Sequence, residues 1–276
     1  MKKMNFLLPP RSNFYLLPLL FLFLLAGCQK ESMPEVDGLT NTPQAKAHDA
    51  VRINTFYGPA EPFNGGVIRT MVSMNEYGEP TQVGVKISAK VLEDVEEMES
   101  EIITLQFPNK SDGLPFDHLD INWNMHGHEP DFLYNVPHFD AHFYMVSEEY
   151  QMGITDPVKA AIYPDPEYVP AGYVPPPPFL PVQLVPQMGV HWTKSTEAPP
   201  FTHTFIFGSY DGEFIFYEPM FTVEYLRNEA DGEIFPIAQP EEYAMGGYYY
   251  PTNYSIDYDP VKKEYTIILG GMIWVE

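Results

Sequence analysis

Five of the eight histidines of this chain lie within one short stretch, between residues 118 and 142. They are His118, His126, His128, His138 and His142. Imidazole is the commonest metal ligand in proteins. Carboxylates are interleaved at Glu129, Asp131 and Asp140, and they provide further oxygen ligands or acceptors that orient the rings. This stretch is therefore the candidate for a metal site.

The spacing of two of these histidines limits how they can be used. The segment His-Phe-Asp-Ala-His-Phe-Tyr alternates polar and apolar residues, which predicts a strand over residues 138–146 with His138, Asp140 and His142 on one face. At roughly 3.3 Å per residue, the Cα atoms of His138 and His142 are about 13 Å apart. An ideal strand therefore lets only one of them bind a given ion, unless a bulge or bend after Pro137 shortens the gap.

Two later residues complete the candidate site. His191 lies in Gly-Val-His-Trp, and Glu218 precedes a proline in Phe-Tyr-Glu-Pro, where we expect a strand to end. Neutral imidazoles and one carboxylate suit a zinc-like divalent ion. The predicted ligands are His128, His138, His142, His191 and Glu218, with at least one of the two strand histidines taking part. The competing interpretation makes these histidines hydrogen-bonded core residues.

The elements that must position these residues are mainly β. Three pairs of apolar-rich segments flank turn sequences and predict hairpins: 67–74 with 81–88, 202–207 with 213–217, and 253–259 with 265–269. A further strand is expected at 102–107, and residues 221–226 fit either a strand or a short helix capped by Thr222. The sequence predicts a sandwich or barrel of antiparallel hairpins with one or two short helices.

The remaining local signals are weaker. Ser88 is expected to cap a short helix, and Ser147 to begin a helix running toward Ile162 that Gly153 and Pro157 break. The proline-rich segment 163–186 predicts a polyproline-like path over the surface.

The N-terminus predicts export and lipidation. A basic start and an apolar run lead to Leu-Ala-Gly-Cys, which has the form of a bacterial lipobox, so residues 1–27 are interpreted as a signal peptide and Cys28 as the acylated residue. Residues 28–50 are a predicted flexible tether, and residues 51–276 a single β-rich domain. The residue after the cysteine is Gln and not Asp, which favours an outer-membrane lipoprotein, and the Gln-Lys-Glu start resembles the export tether of surface lipoproteins. The periplasmic and surface faces both remain open.

Charge and cysteine content exclude several functions. Loss of residues 1–27 removes three basic residues and takes the net charge from −23 to −26, which disfavours binding to nucleic acid. The single cysteine is Cys28, so its lipidation leaves no residue for a disulfide, a cysteine-ligated zinc site or a thiol nucleophile.

Several motifs resemble an uncharacterised family of secreted bacterial proteins, grouped as a domain of unknown function. They are Asn-Trp-Asn-x-x-Gly-His128, Val-Pro-His138-Phe-Asp-x-His142-Phe-Tyr, Met-Gly-x-His191-Trp, Gly-Ser-Tyr-Asp-Gly and Phe-x-Glu218-Pro-Met. The similarity covers most of residues 55–270. It implies that the histidines and the glutamate belong together, and it supplies no reaction. Met125 stands where the pattern has proline, and His126 is peculiar to this chain.

Two functions remain open at the level of sequence. The first is a membrane-anchored lipoprotein with a His/Glu metal site, used for binding or for metal-assisted chemistry. The second is a non-catalytic envelope or cell-surface protein, in which tyrosines beside prolines (Tyr163, Tyr168 and Tyr173) contact a protein or glycan partner. The sequence contains no Ser-His-Asp, phosphate-loop or His-Glu-x-x-His signature, so no catalytic residue is assigned.

Overall fold

Antiparallel strands make up most of the computed structural model, which describes residues 51–177 and 184–276. The strands in these residues are β1 Ile53–Tyr57, β2 Glu61–Phe63, β3 Gly66–Asn75, β4 Pro80–Ser88, β5 Glu101–Gln106, β6 His118–Asn124, β7 His138–Tyr144, β8 Tyr173–Val174, β9 Val190–Lys194, β10 His203–Tyr210, β11 Glu213–Thr222, β12 Asp231–Pro236, β13 Tyr248–Tyr250, β14 Asn253–Asp259, β15 Glu264–Gly270 and β16 Ile273–Val275. The helices are short: α1 Asp131–Tyr134, α2 Glu148–Met152, α3 Pro157–Ala160 and α4 Val223–Asn228.

Two large sheets are formed by these strands. One sheet has the order β1-β3-β4-β15-β14-β12, with β2 paired to β3. The other, which we call the histidine sheet, has the order β5-β6-β7-β11-β10-β9-β8. β13 and β16 form a separate two-stranded ribbon. The prediction of a mainly β sandwich is confirmed.

The sandwich core lies between the two large sheets and is rich in aromatic rings. Phe139 of β7 packs edge-on against Phe63 of β2, with ring centroids 6.4 Å apart. Phe205 of β10 contacts Tyr254 of β14 at 5.1 Å. Because aromatic side chains bury a large apolar area and prefer such tilted contacts, these pairs join the sheets.

The three predicted hairpins are present as β3–β4, β10–β11 and β14–β15. The segment that fitted either a strand or a helix contains both, because β11 ends at Thr222 and the Thr222 hydroxyl caps α4 by accepting from the amide of Tyr225. The helix predicted from Ser147 is broken as expected, into α2 and α3.

The short helix predicted after Ser88 is present as two 3₁₀ turns, Ala89–Leu92 and Val95–Glu97, but the predicted cap is wrong. The hydroxyl of Ser88 does not cap the first turn, because it accepts a hydrogen bond from the amide of Val67 in the neighbouring strand.

Two further expectations require correction. Glu218 does not mark the end of a strand, since β11 continues to Thr222, and the pairing of β11 with β7 skips residues 218 and 219. A proline within a strand is tolerated where no ladder amide is needed. Tyr173 is not a surface residue, because it is buried against Phe207 and its hydroxyl donates to the carbonyl of Phe205.

The predicted signal peptide, tether and Cys28 lie outside the described residues, as does part of the proline-rich segment, residues 178–183. Among the helices that are described, none has the length and apolar character needed to cross a membrane.

Replacement of Phe139 by alanine should destabilise the domain by about 3–5 kcal/mol, because the ring is fully buried between the sheets and its loss leaves a cavity. Phe132→Ala is a matched control, since that ring is 71% exposed on α1, and it should change the free energy of unfolding by less than about 0.5 kcal/mol. Urea unfolding followed by fluorescence measures both. Similar losses in the two variants would contradict the assigned core.

Candidate metal centre

The face of the histidine sheet that points away from the core is polar but buried. β6 and β7 alternate between the two faces, as a two-residue period requires. Their core-facing residues are Leu119, Ile121, Trp123, Phe139, Ala141 and Phe143. Their residues on the other face are His118, Asp120, Asn122, Asn124, His138, Asp140 and His142. We call this second surface the polar face.

Strand register determines which polar residues are neighbours. Asp120 lies opposite His142, and Asn122 lies opposite Asp140, in the β6–β7 pairing. On the other side of β7, Glu218 of β11 reaches the imidazole of His142. The polar face is therefore continuous across three adjacent strands.

One group of candidate ligands consists of His128, His138 and Asp140, which we call the aspartate triad. The Nε2 atom of His128 is 3.3 Å from Oδ2 of Asp140, and Nε2 of His138 is 3.1 Å from Oδ1. The two imidazole centroids are 4.7 Å apart. One potential ligand atom from each of the three residues therefore lies within 4.8 Å of the other two.

Hydrogen bonds on the far side of each ring orient this triad. Nδ1 of His128 donates to the carbonyl of Glu129 at 2.8 Å, and Nδ1 of His138 donates to the carbonyl of Val136 at 2.6 Å. Asn124 donates to Oδ2 of Asp140 at 2.7 Å. Metal-binding imidazoles usually donate their other N–H to a backbone carbonyl or carboxylate in this way.

The second group consists of His142, His191 and Glu218, which we call the glutamate triad. Nε2 of His142 is 3.3 Å from Oε1 of Glu218, and Nε2 of His191 is 3.7 Å from Oε2. His142 and Glu218 are almost fully buried, whereas the side chain of His191 is 21% exposed. This triad thus has one ligand within reach of solvent.

The glutamate triad is packed around the ring of Phe216. That ring lies edge-on to His142 at 4.8 Å and is tilted against His191 at 5.4 Å. Gly208, which pairs with both Phe216 and His191, leaves the space that the ring needs, because a Cβ at this position would overlap the ring. The glycine therefore fixes the separation of two candidate ligands.

Burial sets the protonation of the glutamate triad. It lowers the pKa of His142 to about 4 and lowers the pKa of His191, so both rings are neutral near pH 7. Burial, and then the charge of Asp140, raises the pKa of Glu218 well above its ordinary value. Burial therefore favours the uncharged form of the carboxyl group and of both rings.

The aspartate triad is ionised instead. Burial alone would raise the pKa of Asp140, but the imidazoles of His138 and His128 hold it well below its usual range. Burial alone would likewise lower the pKa of His128, but the hydrogen bond and charge of Asp140 raise it. Contact between the two residues therefore favours the ionised form of Asp140 and the protonated form of His128 relative to isolated side chains.

Buried polar atoms without a hydrogen-bond partner are concentrated at these groups. In residues 51–177 and 184–276, eight side-chain atoms have this property. They are Oδ1 of Asp120, Oδ1 of Asn122, the hydroxyl of Tyr134, Nε2 of His138, Oδ1 of Asp140, Nδ1 and Nε2 of His142, and Oε2 of Glu218. Native proteins pair nearly all such atoms, so this concentration indicates a site for a bound species.

The structure places all five sequence-predicted ligands on the polar face, but it divides them between two triads rather than bringing them to one point. His138 and His142 enter different triads, because four residues of a regular strand separate them by about 13 Å. His126 and Glu129 are exposed on the loop after β6, Asp131 is exposed at the start of α1, and none of the three joins a triad.

Three participants were not assigned from the sequence. Asp140 is offered by the sequence as a further oxygen ligand or an orienting acceptor but is not in the predicted ligand set, and it is a member of a triad. Asp120 and Asn122 lie on the polar face beside the triads. The alternation His-Leu-Asp-Ile-Asn-Trp-Asn in β6 carries the signal for both, because every second residue of a buried strand is polar. Comparisons with family models, curated proteins and solved structures find no match for this chain.

Replacing Gly127 by alanine should disrupt the loop that carries His128. Gly127 has φ +71°, and a Cβ there would overlap the carbonyl of Tyr134, which accepts a hydrogen bond from the amide of His128. We expect a loss of more than about 2 kcal/mol in unfolding free energy. Gly172→Ala is the control: its φ is +83°, but its surroundings are open, so it should lose only about 1 kcal/mol. Equal losses in thermal or urea unfolding would disprove the backbone contact.

Proposed function

We propose that this protein is a lipid-anchored protein of a bacterial envelope whose domain binds divalent transition-metal ions at the two triads. The observation that carries the proposal is the set of partnerless buried atoms, of which five belong to the triads. Burying such atoms without a partner costs about 1–3 kcal/mol each, and more for charged groups. A cation at each triad would satisfy four of them, all except Nδ1 of His142, which lies on the far side of its ring.

The tautomers of the two imidazoles in the aspartate triad favour a bound cation over a hydrogen bond within the triad. Because the Nδ1 atoms of His128 and His138 donate to backbone carbonyls, the two Nε2 lone pairs face the Asp140 carboxylate. Three acceptors in contact repel one another unless a proton or a metal lies between them. A proton on His128 would still leave Nε2 of His138 without a partner.

The distances suit a small tetrahedral ion. For metal–ligand bonds of about 2.0–2.1 Å, neighbouring ligand atoms of a tetrahedron are roughly 3.3 Å apart. The measured N···O distances across the two triads run from 3.1 Å to 3.7 Å. Two imidazoles and one carboxylate per triad favour zinc over the oxygen-preferring calcium and magnesium ions.

Each triad provides three protein ligands, which would leave a fourth tetrahedral position open. Structural zinc sites usually have four protein ligands, whereas an open position admits water or a substrate. The chemistry that a bound ion would supply is activation of that water or polarisation of a bound carbonyl or phosphoryl group. The structural alternative, in which the histidines only pack the face, would leave the partnerless atoms unexplained.

The chain should bind about two zinc ions per molecule, one at each triad. Glu218→Gln and Asp140→Asn should each remove about one, because each keeps the shape of a side chain and deletes the charge that the ion requires. Metal analysis after dialysis against zinc, at pH 7.5, gives the stoichiometry. Binding should weaken as the pH falls, because protons compete with the ion for His128 and Glu218, whose pKa values are raised, whereas the pKa of His142, about 4, keeps that ring neutral to lower pH.

His126→Ala is the matched control for this experiment. His126 is exposed on the same loop as His128 but lies in neither triad, so zinc stoichiometry should stay unchanged. If the unaltered protein retains no zinc, or if both carboxylate variants retain as much as the control, metal binding at the triads is wrong.

Lipidation is expected at Cys28, because Leu-Ala-Gly-Cys follows a basic and then apolar N-terminus. Two or more acyl chains would give stable membrane attachment, at about 0.8 kcal/mol per buried methylene. Cys28→Ser should leave an uncleaved precursor that incorporates no labelled palmitate in cells. Ser32→Ala, which leaves the four-residue motif intact, should be cleaved and labelled normally. Normal processing of the cysteine variant would disprove the anchor.

A further inference from the structure

Tyr134 has the one hydroxyl among the partnerless buried atoms of the described residues. The residue is 2% exposed and ends α1, the short helix between the loop of His128 and β7. A phenylalanine would fill the same space without the cost of a buried hydroxyl that makes no hydrogen bond, about 1–3 kcal/mol. The hydroxyl is therefore available to donate a hydrogen bond to an acceptor on a bound molecule.

The ring of Tyr134 packs against the aspartate triad. Its centroid is 5.6 Å from that of His128 and 6.4 Å from that of His138, and Phe201 closes the other side at 5.0 Å. A phenol keeps its proton at neutral pH. The hydroxyl is therefore a hydrogen-bond donor on a ring that contacts both imidazoles of the aspartate triad.

The charge of the metal-loaded triads determines which kind of ligand the Tyr134 hydroxyl would contact. At the aspartate triad, one divalent ion brings two positive charges against the single negative charge of Asp140, so the loaded triad is positive. In a poorly solvated site this excess favours an anionic ligand at the open coordination positions. The side chain of His128, which is 36% exposed, leaves the aspartate triad accessible to a small one.

We propose that the Tyr134 hydroxyl donates a hydrogen bond to a small oxyanion coordinated to the ion of the aspartate triad. The ligand class is a carboxylate or phosphate group, either free or as part of a larger molecule. This inference rests on the proposed metal binding. It assigns Tyr134 as a ligand-binding residue and the open metal position as the place where the oxyanion oxygen binds.

The test uses the full-length protein loaded with Co²⁺, because the visible absorption of tetrahedral cobalt changes when a new ligand binds the metal. Sodium acetate and inorganic phosphate are titrated separately, after unbound cobalt is removed. The variant is Tyr134→Phe, which removes the hydroxyl alone. Tyr250→Phe is the control, because that tyrosine is also buried but its hydroxyl donates to the carbonyl of Met245.

The unaltered protein and Tyr250→Phe should bind at least one of the two anions with the same affinity. Tyr134→Phe should bind it about tenfold more weakly, the effect of one hydrogen bond to a charged group. Cobalt stoichiometry should not change in Tyr134→Phe, and the stability of the metal-free variant should be equal or higher, which a purely structural hydroxyl would not give.

The outcomes separate this inference from the proposed function. Cobalt binding without any spectral response to acetate or phosphate would overturn the oxyanion site while leaving metal binding intact. Equal anion affinity in the protein and in Tyr134→Phe would overturn the role of the hydroxyl. Failure to bind cobalt or zinc at all would overturn the proposed function and this inference with it. If one of the two anions binds more tightly, that preference shows whether the site selects a carboxylate or a phosphate group.

Discussion

The two-residue period of β7 is the constraint on which the rest of the structure depends. Phe139 and its apolar neighbours must enter the sandwich core, so His138, Asp140 and His142 are committed to the opposite face. That face is also buried, because the chain segments that carry α1 and α2 lie over it. Taking carboxylates and imidazoles out of water is costly unless each is paired or bound to an ion. The same alternation that builds the core therefore creates a buried surface whose charged and polar groups need partners.

The strand period also explains why there are two triads instead of one. Asp140 lies between His138 and His142, and it completes only the first triad. Its charge nevertheless acts on the second, because it contributes to the raised pKa of Glu218. An ion beside Asp140 would offset that charge and make ionisation of Glu218 easier, so the electrostatic states of the two triads depend on each other.

Local packing gives the candidate ligands their positions. Gly127 allows the loop of His128 to approach the end of α1 closely, and Gly208 makes room for the Phe216 ring between two imidazoles. The Tyr134 carbonyl receives the amide of His128, while the Tyr134 ring lies against the same imidazole. These contacts do not involve the candidate metal-binding atoms. They nevertheless set the distances between those atoms.

The sequence by itself determined the hairpins, the strand at 138–146 with its polar and apolar faces, and the residue types from which both triads are built. These features depend on local alternation and turn residues, which neighbouring positions reveal. Only the tertiary structure decided that His138 and His142 belong to different triads, that Asp140 joins one of them, that Glu218 lies within a strand, and that Tyr173 is buried. The physical reason is that these outcomes depend on register between β6, β7, β9 and β11, and on loops folding over a sheet face. Such contacts join segments far apart in the chain, and no local pattern encodes them.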